Sequence, residues 1–138
     1  MAAIGLVQMK RYPGLLARRR QLIETYNEAL KDCNVALLDH FNEEHVSSGH
    51  LYLVRLLGRD SAYRNEVITE MARREIACNV HYKPLPMMTA YKALGFDIKD
   101  YPNAYHQFEN EVTLPLHTRL TKEQVEFMLH NFKEIIDL

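Results

Sequence analysis

The sequence is poor in the residues that mark several specialised classes of protein. Its 138 residues include no tryptophan, two cysteines, five glycines and five prolines. This composition excludes a disulfide-dense scaffold and a collagen-like or low-complexity chain. The longest candidate for a leader segment, residues 2–7, is interrupted by Gly5 and has no basic segment ahead of it. A bilayer span needs about 20 apolar residues, so we expect neither a signal peptide nor a membrane segment.

The charges are balanced, with 17 basic and 18 acidic residues. Domains that bind nucleic acid carry a basic excess, so we expect no nucleic-acid partner. The length of 138 residues predicts one domain over residues 1–138, and an apolar content of 47% is typical of a globular protein. Cys33 and Cys78 lie far apart in no motif, which favours reduced thiols in a cytoplasmic protein over a disulfide between them.

Helical patterns dominate both ends of the chain. Residues 1–31 predict helix in two pieces with a break at Tyr12–Pro13, because proline disfavours helical geometry in the residue before it. The arginines at 18–20 lie mostly off the apolar stripe, which favours a solvated helix face over an anion-binding patch. Asp60 predicts the start of a helix over 61–74. Thr121 and Gln124 form a capping box ahead of a strongly amphipathic final helix.

The segment over 32–138 also contains the predicted sheet. His50–Leu57, bounded by two glycines, predicts a central strand, and Ile76–Val80 and Glu111–Leu114 predict two more. Short helices are predicted over Met88–Leu94 and from Pro102 onward. The expected fold class is therefore α+β, a small and mainly antiparallel three-stranded sheet packed with helices.

Few residues carry recognisable chemistry. The sequence has no phosphate-binding glycine loop, zinc-protease motif or serine-hydrolase motif. His40, His45 and His50 are spaced by five residues, which suits neither a helix face nor a strand face, so we expect no metal site. His81–Pro84 places an imidazole, a phenol and an ammonium on a proline-stiffened loop, which makes it a candidate ligand site. Arg55 lies among leucines. It is either a paired structural charge or a ligand for a carboxylate or phosphate, and the structural role is favoured.

Six segments in order resemble the carboxy-terminal domain of the DegT/DnrJ/EryC/StrS sugar aminotransferases. They are AAIGLVQMKR at 2–11, RRR at 18–20, HLYLVR at 50–55, VHYKPL at 80–85, AYKALGF at 90–96 and LPLH at 114–117. These are fold-type I enzymes that use pyridoxal phosphate (PLP) to aminate keto sugars carried on nucleotides. The resemblance implies the small domain of such an enzyme, with an interdomain helix within residues 1–31.

The resemblance also implies that the cofactor-binding residues of such an enzyme and the substrate-binding residues of this chain lie in different domains. The family's cofactor lysine, stacking aromatic and aspartate belong to the larger domain, and no lysine of this chain matches that lysine. We therefore expect no catalytic residue here, no covalently bound PLP and no activity from the chain alone. His81 and Tyr82 match the family pair that contacts the sugar or its diphosphate, Lys83 is a candidate phosphate contact, and Arg55 could receive the carboxylate of glutamate, the amino donor.

The expected partners are a nucleotide-sugar substrate and a cofactor domain or a second copy of the chain. Two alternatives stay open: a non-catalytic module that binds a sugar nucleotide, and a module that self-associates. The apolar face of Ala2–Met9 is the surface expected to mediate self-association, because exposed apolar patches mark interaction sites.

Overall fold

A computed structural model describes residues 2–137. Within this range the chain forms five α-helices, three strands and two short 3₁₀ turns, at 85–87 and 98–100. The main elements, in chain order, are α1 (Ala2–Leu30), β1 (Val35–Leu37), β2 (Tyr52–Leu56), α2 (Ser61–Arg73), α3 (Thr89–Ala93), α4 (Pro102–Glu109), β3 (Glu111–Leu114) and α5 (Lys122–Ile136).

The sheet is antiparallel with the order β1-β2-β3. The α+β class and the three-stranded sheet are therefore confirmed. Strand β2 is central, as predicted, but it begins at Tyr52, and His50 lies exposed ahead of it. Its residues 52, 54 and 56 are buried, while 53 and 55 on the other face are half-buried. This alternation is the period-two pattern of a strand.

The predicted strand Ile76–Val80 is wrong. Glu75 has a positive φ of 62°, and the Ile76 amide donates back to the Met71 carbonyl, so the chain is still turning after α2. Asn79 then forms a single bridge with Thr113 beside β3. The third strand is instead Val35–Leu37, which pairs with β2.

The predicted break in the first helix is also wrong, because α1 runs continuously through Pro13. A proline removes one helical hydrogen bond and crowds the preceding turn, which kinks a helix or ends it. The residues around it, including Leu15, Leu16 and Ala17, are good helix formers, and residues 2–14 are all exposed. No buried contact in this half of α1 therefore forces the chain to turn.

The core lies where the second half of α1, the inner face of the sheet, α2 and α5 meet. Its largest buried side chains are Tyr26, Tyr52 and Phe132. The two tyrosine rings pack edge to face, with centroids 4.9 Å apart. The Tyr26 hydroxyl donates to the Pro115 carbonyl at 2.8 Å, which holds the segment after β3 against α1.

Local helix signals correspond to observed contacts. Asp60 accepts a hydrogen bond from the Tyr63 amide at the start of α2, and Glu70 pairs with Arg74 at 3.6 Å. Both hydrogen bonds of the predicted capping box of Thr121 and Gln124 are present at the start of α5. The apolar stripe of α5 is buried, apart from half-buried Ile136.

The arginines at 18–20 are more engaged than a solvated face implies. Arg18 donates to the Leu120 carbonyl at 2.9 Å, and half-buried Arg19 reaches the Ser48 carbonyl at 3.4 Å. Arg20 pairs with Glu24 on the exposed side of the helix. Arg20 also lies over the Phe41 ring, 4.6 Å from its centroid, so all three arginines contact neighbouring loops. No helix in residues 2–137 is both long and apolar enough to cross a membrane.

Candidate functional site

The candidate loop 81–84 is anchored along the outer edge of β3. Asn79 exchanges two backbone hydrogen bonds with Thr113, at 2.8 and 3.2 Å. The His81 amide then donates to the Glu111 carboxylate at 2.9 Å. Pro84 holds extended backbone at the start of the turn that follows. The loop is therefore held by the sheet at one end and stiffened by proline at the other.

His81 and Tyr82 are the first two residues of this loop and contact each other. The His81 ring nitrogen Nδ1 lies 2.9 Å from the Thr113 hydroxyl, and the ring packs edge-on against Tyr82 with centroids 4.6 Å apart. The peptide bond between them is cis. Tyr82 is 70% exposed, which leaves its phenol available to a partner. Lys83 is also exposed and has no ion-pair partner within residues 2–137.

A small cavity of about 170 Å³ adjoins the loop. Its lining brings together His50, His81 and Thr113 with the segment 114–116. A larger groove of about 510 Å³ lies between α2 and α5, lined by helix side chains that include Glu66, Glu70 and Arg73. That groove contains none of the predicted site residues. We base the site on the smaller cavity, because its imidazole and hydroxyl groups converge from separate elements.

Arg55 lies one strand away from the loop. In the sheet register it is directly opposite Glu111. Its Nε donates to the Asn110 side chain and one Nη to the His106 carbonyl, each at 3.1 Å. These bonds tie β2 to the end of α4, as expected of a paired structural charge. The second Nη has no acceptor among residues 2–137.

Glu111 and Thr113 contact His81 in the structure, and no motif in the sequence marks them. Glu111 is 1% exposed, and Thr113 is 5% exposed. The Thr113 hydroxyl donates to Glu111, which also accepts from the His81 amide. Burial raises the pKa of the Glu111 carboxyl above its ordinary value, although its hydrogen bonds and the nearby Arg64 act in the opposite direction. The available signal was two polar residues at alternate positions of a predicted strand.

The lysines of this chain do not fit a covalent PLP site. All seven, including Lys83, are solvent-exposed. A lysine that forms a Schiff base is activated in a desolvated pocket or beside another cation. None of these seven side chains lies in such a pocket.

The histidines at 40 and 45, for which no metal site is expected, make local contacts. Buried His40 contacts the Ser47 hydroxyl at 3.1 Å, and His45 contacts the Asp39 carbonyl at 2.9 Å. Within residues 2–137 no three His, Cys, Asp or Glu side chains are grouped to hold a metal ion. Cys33 and Cys78 are free and half-buried.

An α+β unit with this three-stranded antiparallel sheet is also found in fold-type I aminotransferases. Residues 1–133 match the DegT/DnrJ/EryC1/StrS aminotransferase family. The chain belongs to this family, whose members use PLP.

Individual relatives agree with this assignment. A Streptococcus pneumoniae protein described as a sugar aminotransferase, solved in its PLP form, is 48% identical with a TM-score of 0.96, over 99% of this chain and 35% of that one. The dTDP-4-dehydro-2,3,6-trideoxy-D-glucose 4-aminotransferase of Saccharopolyspora spinosa is 31% identical over 99% of this chain and 34% of its own length. Helicobacter pylori PseC, an aminotransferase of pseudoaminic acid biosynthesis, is 28% identical with a TM-score of 0.84, over 98% of this chain and 36% of that one. The chain thus spans about a third of the length of the relatives it matches.

Proposed function

We propose that this chain is the substrate-side part of a PLP-dependent aminotransferase that moves an amino group from glutamate to a keto sugar carried on a nucleotide. The observation that carries the proposal is the His81–Lys83 loop, held against β3 in a chain of the sugar aminotransferase family. Relatives named for dTDP-sugar and UDP-sugar substrates support the substrate class.

The roles proposed for the loop follow from its exposed polar groups. His81 and Tyr82 hydrogen-bond the sugar or its diphosphate and fix its position, while exposed Lys83 pairs with a phosphate oxygen. Positioning of this kind contributes binding and orientation, and proton transfer is left to residues outside this chain. Arg55 receives the carboxylate of glutamate through its unengaged Nη.

The remaining parts of the proposal concern context. The chain alone is inactive, since its lysines are all exposed. It works in the cytoplasm, where its two free thiols stay reduced. It contacts a cofactor domain or a second copy of itself through the first helix, where Ile4, Leu6 and Met9 are each at least 65% exposed.

That apolar face also favours a second candidate function. A module that self-associates through residues 2–9, and binds a sugar nucleotide without transforming it, would expose the same side chains. The two candidates differ in chemistry: only the first requires these residues to support amino transfer when joined to a cofactor domain.

A hybrid enzyme tests the site. Residues 2–137 of this chain replace the matching third of the Saccharopolyspora spinosa aminotransferase, and amino transfer to its named dTDP-sugar is followed. We expect His81→Ala to raise KM for the dTDP-sugar about tenfold, the effect of losing roughly 1.4 kcal/mol of binding. The matched control is His106→Ala, which removes an exposed histidine from α4. Equal kinetics for the two variants would contradict the role of His81.

The same hybrid tests Arg55. Arg55→Lys keeps the positive charge but loses the planar geometry that pairs with a carboxylate. We expect KM for glutamate to rise while KM for the dTDP-sugar stays unchanged. A loss of stability with both KM values unchanged would instead assign Arg55 to the sheet alone.

A further inference from the structure

A chain of hydrogen bonds links His81 to a buried carboxylate. His81 Nδ1 lies 2.9 Å from the Thr113 hydroxyl oxygen, and that hydroxyl donates to Oε1 of Glu111. The second carboxylate oxygen, Oε2, accepts from the backbone amide of His81 at 2.9 Å. Both β3 side chains are almost fully buried whereas His81 is half-buried, so the Thr113–Glu111 bond is the one best shielded from water.

The number of protons available to the three hydrogen-bonded side chains determines the tautomer of His81. A threonine hydroxyl has one hydrogen, and an ionised carboxylate only accepts. When Glu111 is ionised, the Thr113 proton points to Glu111, so Nδ1 of neutral His81 must donate to Thr113. The proton of the imidazole then resides on Nδ1. Nε2 keeps its lone pair and has no protein partner within residues 2–137.

We propose that Glu111, acting through Thr113, is a positioning residue that sets the tautomer of His81 and so makes Nε2 a hydrogen-bond acceptor for a hydroxyl of the sugar nucleotide. This use of Nε2 rests on the function proposed above, whereas the control of the tautomer does not. If Glu111 were protonated and His81 neutral, the direction of these hydrogen bonds would reverse. The Glu111 carboxyl would donate to Thr113, Thr113 would donate to Nδ1, and Nε2 would become a donor.

The charges around Glu111 are few. Arg64 of α2 is the nearby cation, His81 lies above the strand and Arg55 is directly opposite on β2. Burial raises the pKa of Glu111. Protonation of this carboxyl therefore begins at a less acidic pH than for an exposed glutamate.

Glu111→Gln gives a directional test. A backbone amide only donates, so the side-chain oxygen of the introduced glutamine must face the His81 amide, and its NH₂ group must face Thr113. Thr113 then donates to Nδ1, and the tautomer should switch to Nε2–H. The readout is the ¹⁵N shift of the two His81 ring nitrogens in the full chain, at about pH 9, well above the ordinary pKa values of glutamate and histidine.

The controls separate this effect from a general loss of charge. Glu109→Gln removes a carboxylate that binds His106 at the end of α4, and it should leave His81 as Nδ1–H. Thr113→Ser keeps the hydroxyl and should also preserve Nδ1–H. Thr113→Val removes the hydroxyl and should let both tautomers populate, which gives a second test if Glu111→Gln does not fold.

The outcomes are distinct. Nδ1–H in the wild type and Nε2–H in Glu111→Gln support the inference. The same tautomer in both proteins, or Nδ1–H kept in Thr113→Val, would overturn it. These spectra need no substrate. A switched tautomer together with an unchanged KM for His81→Ala in the hybrid enzyme would refute the proposed function of His81 and leave the tautomer control standing.

Discussion

Replacing Tyr26 with phenylalanine removes the hydroxyl that ties α1 to the segment after β3. The ring is fully buried, and its hydroxyl donates to the Pro115 carbonyl at 2.8 Å. Pro115 also lines the cavity beside His81, so this bond supports one wall of the candidate site. Because phenylalanine fills the same space, the cost comes from the carbonyl left without a partner. Pro115 is half-buried, so water can replace part of the lost bond, and we expect a loss of about 1 kcal/mol, the typical net value of one hydrogen bond.

Urea unfolding followed by far-ultraviolet circular dichroism measures this loss, and for a chain of this length it corresponds to a fall in Tm of roughly 4 °C. The matched control is Tyr101→Phe, since Tyr101 is 40% exposed. That variant should stay within about 0.5 kcal/mol of the wild type. A Tyr26→Phe variant as stable as the control would refute the assignment of this bond as a support of the fold.

Three further predictions concern stability and association. Burial raises the pKa of Glu111 in the folded chain above its value in the unfolded chain. The contribution of Glu111 to the free energy of unfolding is therefore fully present below the unfolded-state pKa and is lost as pH rises through the folded-state pKa. Glu111→Gln should therefore gain stability relative to the wild type as pH rises from about 4. Urea unfolding at several pH values measures the difference in the free energy of unfolding between the two proteins. A difference that stays constant with pH would contradict the burial argument. Thr121→Ala should lose about 1 kcal/mol because it removes half of the capping box, whereas Thr121→Ser should lose little, by the same assay; equal losses would assign the effect to packing. Leu6→Glu should weaken self-association in sedimentation experiments. The control is Val46→Glu, which changes an exposed residue in a loop and should leave self-association unchanged. Equal effects of the two variants would argue against α1 as the interface.

The elements predicted best from the sequence are those whose signals are local. The final helix carries a capping box and an apolar stripe within a few residues of each other, and α2 carries an aspartate cap. Neither requires knowledge of what the helix packs against. The same holds for the end of α3, where Gly95 adopts a positive φ of 90°.

The failures depend on distant partners. Residues 76–80 have strand-forming side chains, but a strand exists only where a neighbour supplies a ladder, and the turn at Glu75 leaves a single bridge to Thr113. Val35–Leu37 looks less like a strand and becomes one because β2 lies beside it. The break predicted at Pro13 rests on a local preference that the surrounding helix formers override.

The candidate site divides in the same way. The family resemblance points to His81 and Tyr82, whose binding role stays a prediction, and the structure shows their loop hydrogen-bonded to β3. The carboxylate and hydroxyl that hold His81 come from β3, about thirty residues further along the chain. Only the pairing of the loop with that strand reveals Glu111 and Thr113 as part of the site.

Amino transfer by the hybrid enzyme tests the central claim most directly. The hybrid, loaded with PLP, is assayed with glutamate and the named dTDP-sugar beside the isolated chain given the same cofactor and substrates. The account predicts aminated sugar from the hybrid and none from the isolated chain. Transamination by the isolated chain, or a folded and PLP-loaded hybrid that aminates no sugar, would contradict the assignment of these residues to the substrate side of an aminotransferase.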